Sequence, residues 1–248
     1  MVDGLRQWLI LSRQTEDWGA NSRYLAEVVN TILTTGSEWT VNGTPAKFLL
    51  GDKAIEPSRR ALLTGEFTMQ LSPEEVSGKE LTVKRDGASQ AWGGVLSQYV
   101  APIADIKSNS VPDLRIEKRV YSINHGEDGT TAAAGDFRKG DKLRVTLTVT
   151  SGRDMEYVAL TDERAACLEP VEQTSGFAST DGVFYYRETR DTQTNLFIPF
   201  LPKGTFVITY DCYADRDGDY ALGIATIQSL YAPTLVAHSA GSAVEVTD

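Results

Sequence analysis

Few residues in this 248-residue chain could do chemistry by type, and their spacing restricts them further. There are two cysteines, Cys167 and Cys212, and two histidines, His125 and His238. As a nucleophile, Cys167 would need a histidine beside it in space. Nothing flanking it has the character of a helix N-terminus or basic pocket that lowers a thiol pKa, so it reads as a small buried hydrophobe. The cysteines lack the paired spacing of a zinc site and are too few for a disulfide framework. A single Cys167–Cys212 disulfide stays open, since one strand could lie beside the other. Asp211, Asp215, Asp217 and Asp219 gather around Gly218 as the acids of a calcium loop would. Setting Gly218 at the sixth position of such a loop puts Tyr213 at the first and Ile224 at the twelfth, where oxygen ligands are required. A polar Asp217-Gly218 turn between strands is the simpler reading. Glu172-Gln173 has the ending of the thioester motif Cys-Gly-Glu-Gln, but Pro170 stands where the cysteine should be. No glycine-rich phosphate loop and no Gly-x-Ser-x-Gly elbow is present. The chain's many acids could supply a glycosidase pair only through geometry that spacing does not reveal. Asn42-Gly43-Thr44 is a glycosylation sequon that matters only in a secretory host. The expectation is no catalytic residue, no metal, no cofactor and no enzymatic activity.

The elements that would position these residues change character along the chain. Residues 1–36 read as a helical hairpin. Leu5, Trp8, Leu9 and Ser12 follow a helical period, and Asn21 or Ser22 can cap a second helix. That helix carries the stripe Tyr24, Leu25, Val28, Val29, Ile32, Leu33, and Gly36 is placed to end it. After Gly36 the period becomes two. Lys47–Leu50, Glu66–Leu71, Glu80–Lys84 and Trp92–Val100 read as strands, with Asp86-Gly87 as a hairpin turn. Pro102 and Pro112 bracket a linker over 103–111. Beyond it come Leu114–Ile123, Lys142–Val149, Tyr157–Thr161, Val183–Glu188, Thr194–Phe200, Thr205–Tyr213, Ile224–Tyr231 and Ala243–Val246, the pattern of an antiparallel sandwich. The fold class expected is mainly β, a helical hairpin followed by two antiparallel β-sandwich domains. Two helices with apolar stripes and no helical partner are marginal in water and need a tertiary surface, as in a fragment of something larger.

The net charge of −10 is uneven: residues 1–110 hold 11 basic and 13 acidic groups, and 111–248 hold 13 and 21. Such acidity argues against nucleic acid or an anionic membrane as main partner. No apolar run reaches the roughly 18 residues of a membrane span, and Met1-Val2-Asp3-Gly4 does not open a signal peptide.

A series of phrases carries a family resemblance. Met155–Asp162, Leu168-Glu169-Pro170-Val171, Ser175-Gly176, Tyr185–Glu188 with Asp191, Leu201–Thr205 and Ile227–Pro233 together resemble the C-terminal macroglobulin-like domain of bacterial alpha-2-macroglobulins, over roughly residues 113–248. Gly4–Leu9, Gln14–Trp18 and Ile32–Gly36 are similar to the end of that family's helical thioester domain. The resemblance implies three parts: 1–36, the tail of an α/α toroid; 37–112, a CUB-like β-domain; and 113–248, the macroglobulin-like sandwich. It implies a structural part of a secreted or periplasmic protease trap whose bait is cut and whose thioester captures the attacker. Partners would be the upstream thioester domain of the same polypeptide and, through the full-length protein, target proteases, the assembly being a monomer and the parent compatible with a membrane anchor. Neither bait nor thioester motif occurs here, and Cys167 departs from the smaller or aromatic residue usual before Glu-Pro. Two other readings stand beside it. One is a stand-alone extracellular adhesion or carbohydrate-binding sandwich, with Trp39, Trp92 or Tyr99 in an exposed row. The other is a hydrolase with acids on the sandwich rim. Tyr231, at a strand end before Pro233, is either core or, with the loop Ala165–Pro170, a latch facing the thioester domain.

Overall fold

The computed structural model describes residues 2–13, 21–35, 46–56, 67–85, 94–123 and 136–248. Strand accounts for 49% of the described residues and helix for 16%, so the mainly β class holds, with a small helical part at the N-terminus and several antiparallel sheets. The chain divides into two compact units: residues 1–20 with 98–248, and residues 21–97. Helix α1 (Val2–Ser12) therefore goes with the C-terminal sandwich, and α2 (Ser22–Thr35) with the smaller unit.

In the smaller unit, Asn21 caps α2 as expected, its side-chain oxygen accepting from the Arg23 N–H at 3.0 Å. Of the apolar stripe only Val28 is buried, while Tyr24, Leu25, Val29 and Leu33 face solvent. Strands β1 (Lys47–Leu50) and β2 (Lys53–Ile55) form a hairpin whose turn needs the left-handed Gly51, φ 59°. A one-turn helix α3 (Pro73–Val76) is set by a reciprocal cap: Ser72 Oγ accepts from Glu75 N–H, and Glu75 Oε2 accepts from Ser72 N–H at 2.7 Å. Strand β3 (Leu81–Lys84) completes a sheet ordered β2-β1-β3. The expected strands over Glu66–Leu71 and Trp92–Val100 form no ladder where they are described. Val95, Leu96, Tyr99 and Val100 are exposed irregular chain, because no strand among the described residues pairs with them. Gly36 and Asp86-Gly87 lie outside the described residues.

Beyond α1, the larger unit resumes with a short 3₁₀ turn, Ile103–Asp105. The expected linker is stitched down rather than free: Asn109 bridges His238, and the Gly241 N–H donates to Ile106 O at 2.8 Å. A side chain at Gly241 would meet the Ile103 carbonyl oxygen at 1.7 Å, so only glycine allows this approach. Strands β4 (Leu114–Ser122), β5 (Asp136–Arg138), β6 (Lys142–Ser151), β7 (Met155–Glu163), β8 (Leu168–Pro170), β9 (Gly176–Thr180), β10 (Val183–Thr189), β11 (Gln193–Leu201), β12 (Gly204–Ala214), β13 (Gly218–Leu222), β14 (Ala225–Ser229), β15 (Val236–His238) and β16 (Ser242–Thr247) follow. A six-stranded sheet, β15-β14-β7-β11-β10-β9, faces a four-stranded one, β4-β6-β12-β8, and β13-β16-β5 makes a third. Alternation builds the core. In β6, Leu143, Val145, Leu147 and Val149 are buried while Lys142, Arg144, Thr146 and Thr148 face outward. They meet Val158, Leu160, Leu196, Ile198 and Ile227 from the other sheet, each such side chain contributing about 1.5–3 kcal/mol by burial. All eight strands expected here are present; the short β5, β8, β9, β13 and β15 are additional.

Candidate functional site

Three polar side chains occupy inward positions of otherwise apolar strands. Lys118 follows Leu114 and Ile116 on β4, Asp162 follows Val158 and Leu160 on β7, and Tyr210 follows Phe206 and Ile208 on β12. Period-two geometry points all three into the sandwich, where they converge. Lys118 Nζ lies 2.6 Å from Asp162 Oδ1, with side chains only 5% and 0% exposed. The ammonium donates to the Glu163 carbonyl at 2.6 Å and the Gly223 carbonyl at 2.8 Å. Tyr210 donates its hydroxyl to Asp162 Oδ2 at 2.5 Å. Burial pushes the Asp162 carboxyl up, against the pull of Lys118, and burial together with the Asp162 charge holds Tyr210 well above the ordinary phenol range. Arg164, at the end of β7, donates to Thr194 Oγ1 at 2.6 Å and to the carbonyls of Arg190 and Asp191, fixing the β10–β11 turn. Sequence reasoning missed this cluster, although the signal was present as polar residues on the buried register.

A second assembly sits on the rim. The Tyr231 ring is half-buried in the β14–β15 hairpin and packs edge-on against Tyr157, with centroids 5.5 Å apart at 75°. The Arg13 guanidinium, just beyond α1, lies 4.5 Å over the Tyr231 ring. Tyr157 takes a left-handed φ of 53°, a strain of about 1–3 kcal/mol for a non-glycine residue. The β7–β11 register sets it opposite Pro199, which has no N–H to donate, and its carbonyl accepts instead from Leu230 N–H at 3.0 Å. The strained backbone thereby anchors the hairpin that presents Tyr231. The loop Ala165–Pro170 is elsewhere. Ser229 pairs with Val158, whereas Ala225 pairs with Asp162, so Tyr231 and Ala165 lie at opposite ends of β7, about 26 Å apart at 3.3 Å per residue. The expected partnership between that loop and Tyr231 is corrected accordingly.

The other candidates are placed plainly. Cys167 and Cys212 are both buried free thiols, so the open disulfide is not formed. Burial raises Cys167 and pushes Cys212 up to about 12, which suits inert core residues. His238 is half-buried, its Nδ1 3.0 Å from the Ser239 carbonyl. Asp211 is held by Arg144 at 2.8 Å and Lys142 at 3.1 Å, which lower its pKa, and does not converge with the other acids. Asp215 and Asp217 face solvent with distant basic neighbours, and Asp219 is exposed on β13. Among the described residues no group of acids, histidines or cysteines could hold a metal. Glu172 is an exposed loop acid whose pKa is lowered by the Thr174 hydroxyl and N–H. Tyr99 is exposed but on no sheet face. His125, Trp39, Trp92 and Asn42 lie outside the described residues. A different aromatic row is present: Phe177, Tyr186 and Phe197 lie abreast on the outer face of β9-β10-β11, with Phe184 stacked on Phe177 at 5.3 Å. No helix among the described residues is long and apolar enough to cross a membrane.

Taken together, the interior polar groups hold strands and the conspicuous aromatics face outward, which defines the class as a structural antiparallel β-sandwich. Residues 114–234 match the family described as the bacterial alpha-2-macroglobulin MG10 domain. Residues 114–234 thus form a domain of the bacterial alpha-2-macroglobulin family. Similar solved structures include a Salmonella alpha-2-macroglobulin mutant (19% identical, 91% of this chain, 14% of that chain, TM-score 0.49). Another is Escherichia coli alpha-2-macroglobulin activated by porcine elastase (15% identical, 93% of this chain, 20% of that chain, TM-score 0.48). A third is the native Escherichia coli protein from domain MG7 to the C-terminus (15% identical, 90% of this chain, 36% of that chain, TM-score 0.47). A curated relative, circularly permutated Ras protein 2 of Dictyostelium discoideum, is 29% identical over 94 residues, 38% of this chain but 2% of that protein. The chain thus spans a small part of the length of each of them.

Proposed function

We propose that this chain is the C-terminal structural part of a bacterial alpha-2-macroglobulin-like protease inhibitor and catalyses no reaction on a substrate. The observation that carries this reading is the MG10 match over 114–234. Support comes from the helices. Leu5 and Trp8 of α1 are 61% and 63% exposed, and most of the α2 stripe faces solvent, as expected of helices whose natural neighbours belong to a larger helical domain. In this reading 1–36 closes a thioester-domain toroid, 37–112 is a CUB-like β-domain and 113–248 is the MG10 sandwich. The parent is periplasmic or extracellular, and its partners are its own thioester domain and the target protease. Tyr231, held on the rim by Tyr157 and Arg13, faces the thioester domain and helps hold the resting state. The test uses the full-length gene product incubated with trypsin or elastase. Retained cleavage of small peptide substrates with lost cleavage of large protein substrates supports a trap, and equal loss or retention of both overturns it. Tyr231→Ala in that protein is expected to rearrange without protease; unchanged activation removes the latch.

The outer aromatic row favours one second reading, a stand-alone adhesion or carbohydrate-binding sandwich, since Phe177 is 72% exposed beside Phe184 and Tyr186. Glycan-array binding that is lost in Tyr186→Ala would support it over the trap.

A further inference from the structure

The trap reading leaves the buried Lys118–Asp162–Tyr210 cluster without a role, and its geometry has the features of a covalent cross-link site. Lys118 Nζ is 2.6 Å from Asp162 Oδ1, yet Oδ1 is buried with no hydrogen-bond partner among the described residues. The nitrogen is beside the carboxyl without the direction of a hydrogen bond. Two of its N–H groups have acceptors in the Glu163 and Gly223 carbonyls, which leaves one tetrahedral direction of Nζ over for the carboxyl. Tyr210 meanwhile grips the other oxygen, Oδ2.

We propose that Lys118 Nζ and Asp162 Cγ form an intramolecular isopeptide bond that staples the four-stranded sheet to the six-stranded one. The proposal concerns this chain's own residues and does not rest on the trap reading. The ammonium first passes a proton to Oδ1, the oxygen without a partner, giving a neutral amine and a carboxylic acid. Burial, which raises the Asp162 carboxyl, favours its taking that proton. The amine lone pair attacks Cγ while the Tyr210 hydroxyl stabilises the negative charge developing on Oδ2. The Nζ–Cγ bond forms, the Cγ–Oδ1 bond breaks, and Oδ1 leaves as water with the acid proton and one amine proton. The product keeps one amide N–H facing the main-chain carbonyls and its Cγ=Oδ2 carbonyl on the Tyr210 hydroxyl. Nothing is oxidised or reduced, and no co-reactant is needed. Holding nucleophile and electrophile in contact inside a dry sandwich removes the entropic obstacle to the reaction.

The experiment is intact-mass measurement on the purified, fully denatured and reduced 248-residue chain. The expected mass is about 18 Da, one water, below that of the sequence. Lys118→Arg and Asp162→Ala should each show the full mass of their own sequence, a reading that needs neither variant to fold. A digest should yield one branched peptide joining Lys118 to Asp162, with protease cleavage blocked at Lys118. Tyr210→Phe should give a mixture of open and closed forms that closes slowly on incubation. Full sequence mass in the wild type after prolonged incubation at neutral pH overturns the proposal and leaves an ion pair. A mass deficit that persists in Lys118→Arg overturns it equally, since that loss would be dehydration elsewhere.

Discussion

Replacing Tyr231 by alanine separates a core aromatic from a rim aromatic, and the structure supplies the magnitude. The ring is half-buried, so its apolar burial contributes about half of the 1.5–3 kcal/mol of a fully buried side chain, or about 1 kcal/mol. The edge-on contact with Tyr157 adds about 0.5–1.5 kcal/mol. The Arg13 guanidinium, on an exposed residue, adds about 0.5–1 kcal/mol. Tyr231→Ala should therefore destabilise the chain by about 2–3.5 kcal/mol, at or below the bottom of the 3–5 kcal/mol typical of a core aromatic. At about 2–4 °C per kcal/mol for a chain of this size, melting should fall by about 4–14 °C. Urea denaturation followed by tryptophan fluorescence measures the free energy, and a double-mutant cycle with Arg13→Ala isolates the cation–π contact as a coupling of about 0.5–1 kcal/mol. A loss above about 4 kcal/mol would place the ring in the core and refute this reasoning. A coupling of zero would show that α1 is not held through Arg13.

Other consequences of the geometry can be checked as directly. Lys118→Met strands the Asp162 carboxylate in the core and should be less stable than Lys118→Met/Asp162→Leu by about 3–5 kcal/mol in urea denaturation; equal stability of the two variants would show that the stranded charge costs nothing. Cys167 and Cys212 should resist a thiol-labelling reagent in native buffer and react only on unfolding, because Cys212 is pushed up to about 12 and both are buried; rapid native labelling of either would contradict this. Asp211 has a lowered pKa, first through its bond to Arg144, so its stabilisation is present above the ordinary carboxylate range and is lost as acid protonates it in the fold. Asp211→Asn should cost about 0.5–1 kcal/mol at neutral pH, discounted for the exposure of Arg144, and nothing at low pH where the carboxyl is already neutral; a pH-independent cost would assign the loss to packing.

The sequence by itself carried the secondary structure of the sandwich, because alternation on β6 and its neighbours is a local pattern that two well-buried faces enforce. It also carried the Asn21 cap and, through a run of short phrases in 155–233, the family that residues 114–234 match. What it carried poorly were elements that owe their form to a distant neighbour. Strands β5, β8, β9, β13 and β15 are too short to show a period and exist because a long strand lies beside them to be paired. The chain over 94–100 alternates like a strand yet pairs with no strand among the described residues, and 103–111 reads as a linker yet is sewn to His238–Gly241 because Gly241 lets the backbones touch. The position of Tyr231 was likewise legible as unusual, but only the β7–β14 register set it apart from Ala165–Pro170. The buried cluster shows the limit most clearly. Lys118, Asp162 and Tyr210 each stand on an inward register and could be read one at a time as polar intrusions into the core. That they meet within hydrogen-bond distance is a fact of how two sheets are stacked, and stacking brings together residues that no spacing along the chain relates.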